Sequence, residues 1–331
     1  MRGTVDIITG DCRATLRNMP EQSVNCCVTS PPYFGLRDYG CDGQLGLEPT
    51  PDEFVAAMVA VFREVRRVLR DDGTLWLNLG DSYAGSWGAR GRGEGTNAAR
   101  ADLEAKHGTA APNRYGFKPW GVKPKDRMMM PARVALALQA DGWWLRDEIV
   151  WHKPNPMPIS VTDRTTPAHE MVYLLSKSAR YHYDHEAIKE AAVSDHASGN
   201  GFARPQQLAR GGRGNAEQWT PTETRNRRSV WSIPVRPFSG AHFATFPPAL
   251  IEPCILAGCP KGGTVLDPFG GAGTTGLVAA RHGRNAVLCE LNPEYAAMAR
   301  DRIDADTASP LERARRKAKP ANDNDLFGVA V

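Results

Sequence analysis

Apolar positions along the chain follow two periods, which predict two kinds of element. Short runs rich in β-branched residues, each closed by a polar turn, alternate with stretches whose apolar residues recur every three or four positions. VDIIT near the N-terminus and VNCCVT (24–29) are runs of the first kind. In residues 52–70, Phe54, Met58, Val61, Val65 and Val68 share one helical face, which predicts an amphipathic helix that stops at Asp71-Asp72-Gly73. TLWLNL (74–79) then reads as a strand, 130–143 as a helix, and 145–153 and 170–177 as strands. Near the end, TVLD (264–267) predicts a strand, TTGLVAARHG (274–283) a helix, and NAVLCE (285–290) a strand. Such alternation predicts an α/β fold, a sheet with helices on its faces.

Two stretches break the pattern. Residues 85–127 are rich in glycine and in basic side chains, among them Arg90, Arg92, Arg114, Lys118, Lys123, Lys125 and Arg127, with Trp87, Tyr115, Phe117 and Trp120 interleaved. Residues 194–229 repeat the basic character with Arg204, Arg210, Arg213, Arg225, Arg227 and Arg228. Both are long and polar for plain connectors, so each is either a functional insertion or a solvated loop. They divide the chain into 1–84, 85–127, 128–193, 194–229, 230–305 and a basic tail at 306–331.

Composition narrows the class without naming a function. With 331 residues, 41% of them hydrophobic and 24% charged, the chain is globular and large enough for a sizeable core. Its seven cysteines include no CxxC pair, which favours buried free thiols and excludes a disulfide scaffold. There is no leading apolar run, and no stretch approaches the about 18 apolar residues that span a bilayer. The expectation is a cytoplasmic chain with no membrane partner. A net charge of +4 permits a polyanionic partner, but the clustering of the basic residues says more than their sum.

Chemistry concentrates in two turns, each directly after an apolar strand. Asp267-Pro268-Phe269-Gly270-Gly271-Ala272-Gly273-Thr274-Thr275-Gly276 contains G-x-G-x-x-G between a strand and a helix, with Glu290 at the end of the next strand. Glycines let backbone approach a bound cofactor closely, and an acid there can accept from ribose hydroxyls. By itself this loop fits a nicotinamide cofactor as well as any other adenosine compound. Thr29-Ser30-Pro31-Pro32-Tyr33 is the second turn. Its prolines make it rigid, and it offers a hydroxyl, carbonyls without competing N–H groups and an aromatic ring. Those groups suit a planar base carrying an exocyclic amine.

Together VTSPPY and DPFGGAGTT resemble the catalytic turn and cofactor loop of amino-directed DNA methyltransferases, which act on the 4-amino group of cytosine or the 6-amino group of adenine. ITGD (8–11), VWHKPNPMP (150–158), HEMVYLLSK (169–177), VWSIP (230–234) and HFATFPPALIEPCI (242–255) extend the likeness over most of residues 4–303. The catalytic turn precedes the cofactor loop, as in the circularly permuted group called β-class. The resemblance implies a Rossmann-like sheet, S-adenosyl-L-methionine as cofactor and duplex DNA as substrate, read by the basic insertions. It implies catalytic roles for Ser30, Pro31, Pro32 and Tyr33. It also implies that Asp267, Phe269, Gly271, Gly273, Thr274 and Thr275 lie about the cofactor's methionine end. Glu290 would hold the ribose, Asp11 would lie near the adenine, and His242, Phe243, Thr245 and Phe246 would close over the methionine moiety.

Ser rather than Asp or Asn before Pro-Pro-Tyr resembles the cytosine group, and adenine remains the alternative. RNA or a protein amide as substrate, a nicotinamide oxidoreductase and a catalytically silent DNA-binding protein stay open as further readings. A carbon-5 cytosine enzyme would need a placed thiolate, and Cys26 and Cys27, adjacent in a strand, can offer at most one to the site. His182 and His185 lack further ligands at metal spacing, so no metal is expected. Whether the chain forms a homodimer, and whether a cognate restriction enzyme accompanies it, stay open.

Overall fold

A computed structural model of the chain describes residues 2–84, 122–123, 125–192, 223–235 and 246–307. Most of both basic insertions, the tail beyond residue 307, and His242, Phe243 and Thr245 lie outside the described residues. The main sheet is built from β1 (Val5–Thr9), β2 (Val24–Thr29), β3 (Leu69–Leu79), β4 (Trp144–His152), β5 (His169–Ser176), β8 (Val230–Ser232), β9 (Thr264–Asp267) and β10 (Asn285–Glu290). A separate short pair joins β6 (Glu190–Ala191) to β7 (Thr224–Arg225). The helices are α1 (Cys12–Asn18), α2 (Pro51–Val68), α3 (Met130–Ala140), α4 (Pro248–Gly258), α5 (Thr274–Arg281) and α6 (Pro293–Thr307).

In space the strands run β1-β10-β9-β2-β3-β5-β4-β8. Neighbours from β1 to β3 are parallel, β5 is antiparallel to both β3 and β4, and β8 is parallel to β4. The N-terminal and C-terminal halves of the chain therefore meet inside one sheet, where β2 lies against β9. In parallel sheets both faces are covered, and the alternation of side chains shows it. Cys27, Leu75, Leu77, Leu175 and Leu266 point into a core shared with α1, α2 and α3. Cys26, Trp76, Leu174, Val265 and Leu288 point into the opposite core, under α4, α5 and α6.

The structure departs from the sequence pattern at two kinds of place. Helix α2 ends at Val68, not at Asp71-Asp72-Gly73, because Leu69 leaves the helix to pair with Val24 in the sheet and is fully buried. The register then jumps to Cys26 opposite Thr74, so the Asp-Asp-Gly segment is a bulge within β3. Thr50 caps α2 by accepting from Glu53 N, and Pro51 occupies its first turn. Helices α1, α4 and α6 have no counterpart in the periodic reading. Among the described residues no helix is long and apolar enough to cross a membrane.

Candidate active site

Parallel pairing of Cys26 with Val265 and Cys27 with Leu266 brings the ends of β2 and β9, and hence both turns, side by side. That is the carboxyl edge of an open α/β sheet, where ligands bind. A buried carboxylate fastens the two turns together. Asp267 accepts from Thr29 Oγ1 at 2.6 Å, from Phe269 N at 3.0 Å and from Thr275 Oγ1 at 2.6 Å. Burial pushes its carboxyl above the ordinary range, and these three donors oppose that push.

Above this fastening, the glycine loop opens on a cleft. Gly271 has φ +49°, and a Cβ there would meet only Phe269 O, at 3.9 Å, so a side chain would project into open space. Gly273, at φ +75°, begins α5 in a left-handed conformation, and a Cβ there would lie 2.8 Å from Ala299 Cβ. Glu290 accepts from Gly271 N at 2.7 Å and from Asn292 N at 2.8 Å. Its own carbonyl accepts from Gly10 N at 2.8 Å, which ties β1 to the same corner. Burial raises the Glu290 carboxyl, and the two N–H donors act against it. Asp11 caps α1 and is gripped by the Arg13 guanidinium at 2.7 Å, which holds its carboxyl below the usual range.

Asp11, Ser30, Pro31, Pro32, Tyr33, Phe246, Phe269, Gly271, Thr274 and Glu290 all line the cleft. Asp267, Gly273 and Thr275 do not; they stand behind the wall, holding the loop's shape. Tyr39, Tyr295, Asn292, Asn78, Trp151, Lys153 and Glu170 are among the further residues that line it, and they carried no assigned role in the sequence. Lys153 and Glu170 lie within the segments VWHKPNPMP and HEMVYLLSK, but only the reversed direction of β5 brings them together. The first residues of β5 stand at the edge where β2, β3 and β4 end.

At the catalytic turn, Tyr33 Oη donates to Glu170 Oε2 at 2.8 Å, and Asn78 Nδ2 donates to the same oxygen at 3.3 Å. Ser30 Oγ donates to Tyr33 Oη at 3.4 Å. Burial and the Glu170 charge push the Tyr33 phenol well above its usual value, so it remains a protonated donor. Gly80 flanks the ring so closely that a Cβ would fall 2.4 Å from Tyr33 Cε2.

Cys26 and Cys27 are fully buried on opposite faces of the sheet, and neither lines the cleft. Burial pushes both thiols well above their ordinary value, so neither offers a thiolate. His185 pairs with Glu186 at 2.9 Å. Among the described residues no group of three or more His, Cys, Asp or Glu side chains is arranged to hold a metal ion.

Residues 24–301 match the family model described as DNA methylase, of the N6/N4 type. The Type II methyltransferase M.XycI of Xanthomonas campestris pv. cyanopsidis is 46% identical over 94% of this chain and 91% of its own length. M.Cfr9I of Citrobacter freundii is 45% identical, over 92% of this chain and 89% of its own. Among solved structures, the PvuII DNA methyltransferase, described as cytosine-N4-specific, aligns with a TM-score of 0.61 at 20% identity, covering 95% of this chain and 92% of that one. A Thermus thermophilus protein solved in complex with S-adenosyl-L-methionine aligns with a TM-score of 0.57 at 23% identity, covering 92% and 97%.

Proposed function

The chain belongs to the N6/N4 family of DNA methylases, and from that premise we propose that its target is the exocyclic 4-amino group of cytosine in duplex DNA. It is an S-adenosyl-L-methionine-dependent DNA methyltransferase. The cleft fits that cofactor on its own terms. Open space above Gly271 would be filled by any side chain, a carboxylate stands at Glu290, and the rings of Tyr39, Phe269 and Tyr295 line the same cleft as Asp11 and the catalytic turn. In this reading Glu290 holds the ribose, Asp11 lies at the adenine end, and Phe269, Gly271 and Thr274 line the methionine end. Asp267, Gly273 and Thr275 keep the loop in shape. His242, Phe243 and Thr245 keep their proposed place over the methionine moiety, beside Phe246.

Bound there, S-adenosyl-L-methionine supplies a methyl group made electrophilic by its sulfonium. The protein's share is positioning and fixed dipoles. The lone pair of a base amine is delocalised into its ring, so the amine needs acceptors on its protons before it can act as a nucleophile. Ser30 Oγ and a carbonyl of the Ser-Pro-Pro turn are those acceptors, and prolines leave no N–H to compete. Tyr33, its ring set against Gly80 and its hydroxyl held by Glu170, is the platform for the base. A base in a duplex must leave the stack to reach this cleft.

The observation that carries the choice of cytosine is the residue before Pro31. Ser30 presents a neutral hydroxyl, not a carboxylate or carboxamide. The cytosine-N4-specific description of one structural neighbour supports the same choice. The turn-first, glycine-loop-last order fits the circularly permuted arrangement. The Type II names of the relatives support a place beside a cognate restriction enzyme. Residues 85–127 and 194–229 are the proposed DNA-reading arms, where arginines contact phosphates or guanine edges. Mass analysis of nucleosides from cells expressing the chain tests the assignment: 4-methylcytosine is expected, and 6-methyladenine in its absence would overturn it.

A further inference from the structure

The cleft contains a charged pair that an amine-gripping turn does not by itself require. Lys153 follows β4 and Glu170 lies at the start of β5, with side chains only 19% and 16% exposed. Lys153 Nζ contacts Glu170 Oε1 directly. Withdrawing both charges from water is costly, so an arrangement that uses them calls for an explanation.

Glu170 Oε2 faces the catalytic turn, taking the Tyr33 hydroxyl at 2.8 Å while Tyr33 takes the Ser30 hydroxyl at 3.4 Å. The direction of this chain is set at its far end. A carboxylate paired with a lysine accepts, and Tyr33 Oη lies nearer to Glu170 Oε2, at 2.8 Å, than to Asn78 Oδ1, at 3.3 Å, so Tyr33 donates to Glu170. The phenol oxygen is then the acceptor for Ser30, whose own lone pairs are left for the substrate. Lys153 occupies Oε1 and Asn78 Nδ2 steadies Oε2 at 3.3 Å, so the carboxylate is fixed with one oxygen toward Tyr33.

We propose that Glu170 is a positioning residue that sets the polarity of a Ser30–Tyr33–Glu170 chain, making Ser30 an acceptor for the target amine and receiving that amine's surplus proton. The inference rests on amino-group methylation as the reaction. As the new nitrogen–carbon bond forms, the sulfur–carbon bond breaks and its electron pair stays on sulfur. The amine nitrogen then carries one proton too many. It passes to Ser30 Oγ as the Ser30 proton moves to Tyr33 Oη and the Tyr33 proton moves to Glu170 Oε2. Both hydroxyls are regenerated, the base is left neutral, and Glu170 holds the proton until solvent removes it. Among the described residues, Lys153 and Tyr33 are titratable groups that contact Glu170, and Asn78 is an uncharged neighbour.

A double-mutant cycle with Glu170→Gln, Tyr33→Phe and the double variant tests this, read by single-turnover methyl transfer to duplex DNA. Glu170→Gln is expected to lower the rate at least tenfold, with S-adenosyl-L-methionine affinity by calorimetry unchanged within twofold. If Glu170 acts through Tyr33, the double variant is no more than twofold slower than Tyr33→Phe alone. In the resting protein, labelled with carbon-13 at tyrosine Cζ, the resonance that disappears in Tyr33→Phe is expected to shift in Glu170→Gln. Multiplying losses in the double variant, a wild-type rate in Glu170→Gln or an unshifted Tyr33 resonance would each overturn the proposal. If the wild type forms 6-methyladenine instead of 4-methylcytosine, the cytosine assignment fails while the cycle still decides the role of Glu170.

Discussion

Ser30 carries a hydroxyl and no charge, and its neighbours decide what that hydroxyl does. Ser30→Ala removes one preorganised acceptor and should lower the methyl-transfer rate by ~10²–10³-fold, measured in single turnover, while calorimetry finds cofactor affinity intact. Glu290 answers to the other end of the cleft. Glu290→Ala should weaken S-adenosyl-L-methionine binding by ~1–3 kcal/mol, the range for losing hydrogen bonds to a charged group, and an unchanged Kd would remove Glu290 from the site. Asp267 makes a prediction about pH. Its carboxyl is raised in the folded protein, so the folded state prefers it protonated. That preference stabilises the fold fully below the unfolded carboxylate range and is lost as pH rises through the raised folded value. Asp267→Asn abolishes this titration, so the variant's stability relative to wild type should rise with pH across the mildly acidic range. Urea unfolding at a series of pH values measures the difference, and a flat difference would contradict it.

At the level of elements, legibility in the sequence followed the strength of the periodic signal. Strands β2, β9 and β10 coincide with their apolar runs because each is bounded by turn residues and buried on both faces. Helix α1 buries only Cys12 and Leu16, too few apolar positions to declare a period. Helix α4 is apolar almost all round and carries Pro253 within it, so no stripe stands out, although seven of its eleven residues are buried. Both motif turns were legible because proline and glycine fix local backbone. Lys153, Glu170 and Asn78 were not, since the antiparallel pairing of β5 with both β3 and β4, distant in sequence from the motifs, is what brings them together. The N-terminus of α3 shows the same non-local logic. Asp81, with a side chain only 7% exposed, accepts from Met130 N at 3.0 Å and from Arg127 Nε at 2.7 Å. Thr50 caps α2 more simply, and Thr50→Ala should cost about 1 kcal/mol in urea unfolding.

For the whole molecule, the joining of β2 to β9 makes one cleft from two distant segments, with the basic insertions proposed as the arms that bring DNA to it. Lys123 and Lys125 bear on that proposal, because their side chains are 85% and 84% exposed and pair, among the described residues, with exposed acids, Asp126 and Asp163. Arg127 is a poorer probe, since its loss also removes the cation paired with the nearly buried Asp81. Replacing Lys118, Lys123 and Lys125 with alanine should flatten the salt dependence of duplex binding by roughly one unit per lost phosphate contact. An unchanged slope would leave 194–229 as the arm. The central claim is the proposed methylation of a cytosine amine in the cleft that Ser30 and Glu290 both line. The most direct measurement incubates the protein with duplex DNA and S-adenosyl-L-methionine carrying an isotopically labelled methyl group, then weighs the digested nucleosides, with Ser30→Ala alongside. Labelled 4-methylcytosine from the wild type, and ~10²–10³-fold less from the variant, is the expected result. Labelled 6-methyladenine without 4-methylcytosine, label absent from every amino group of the DNA, or label equal in the two proteins, would contradict it.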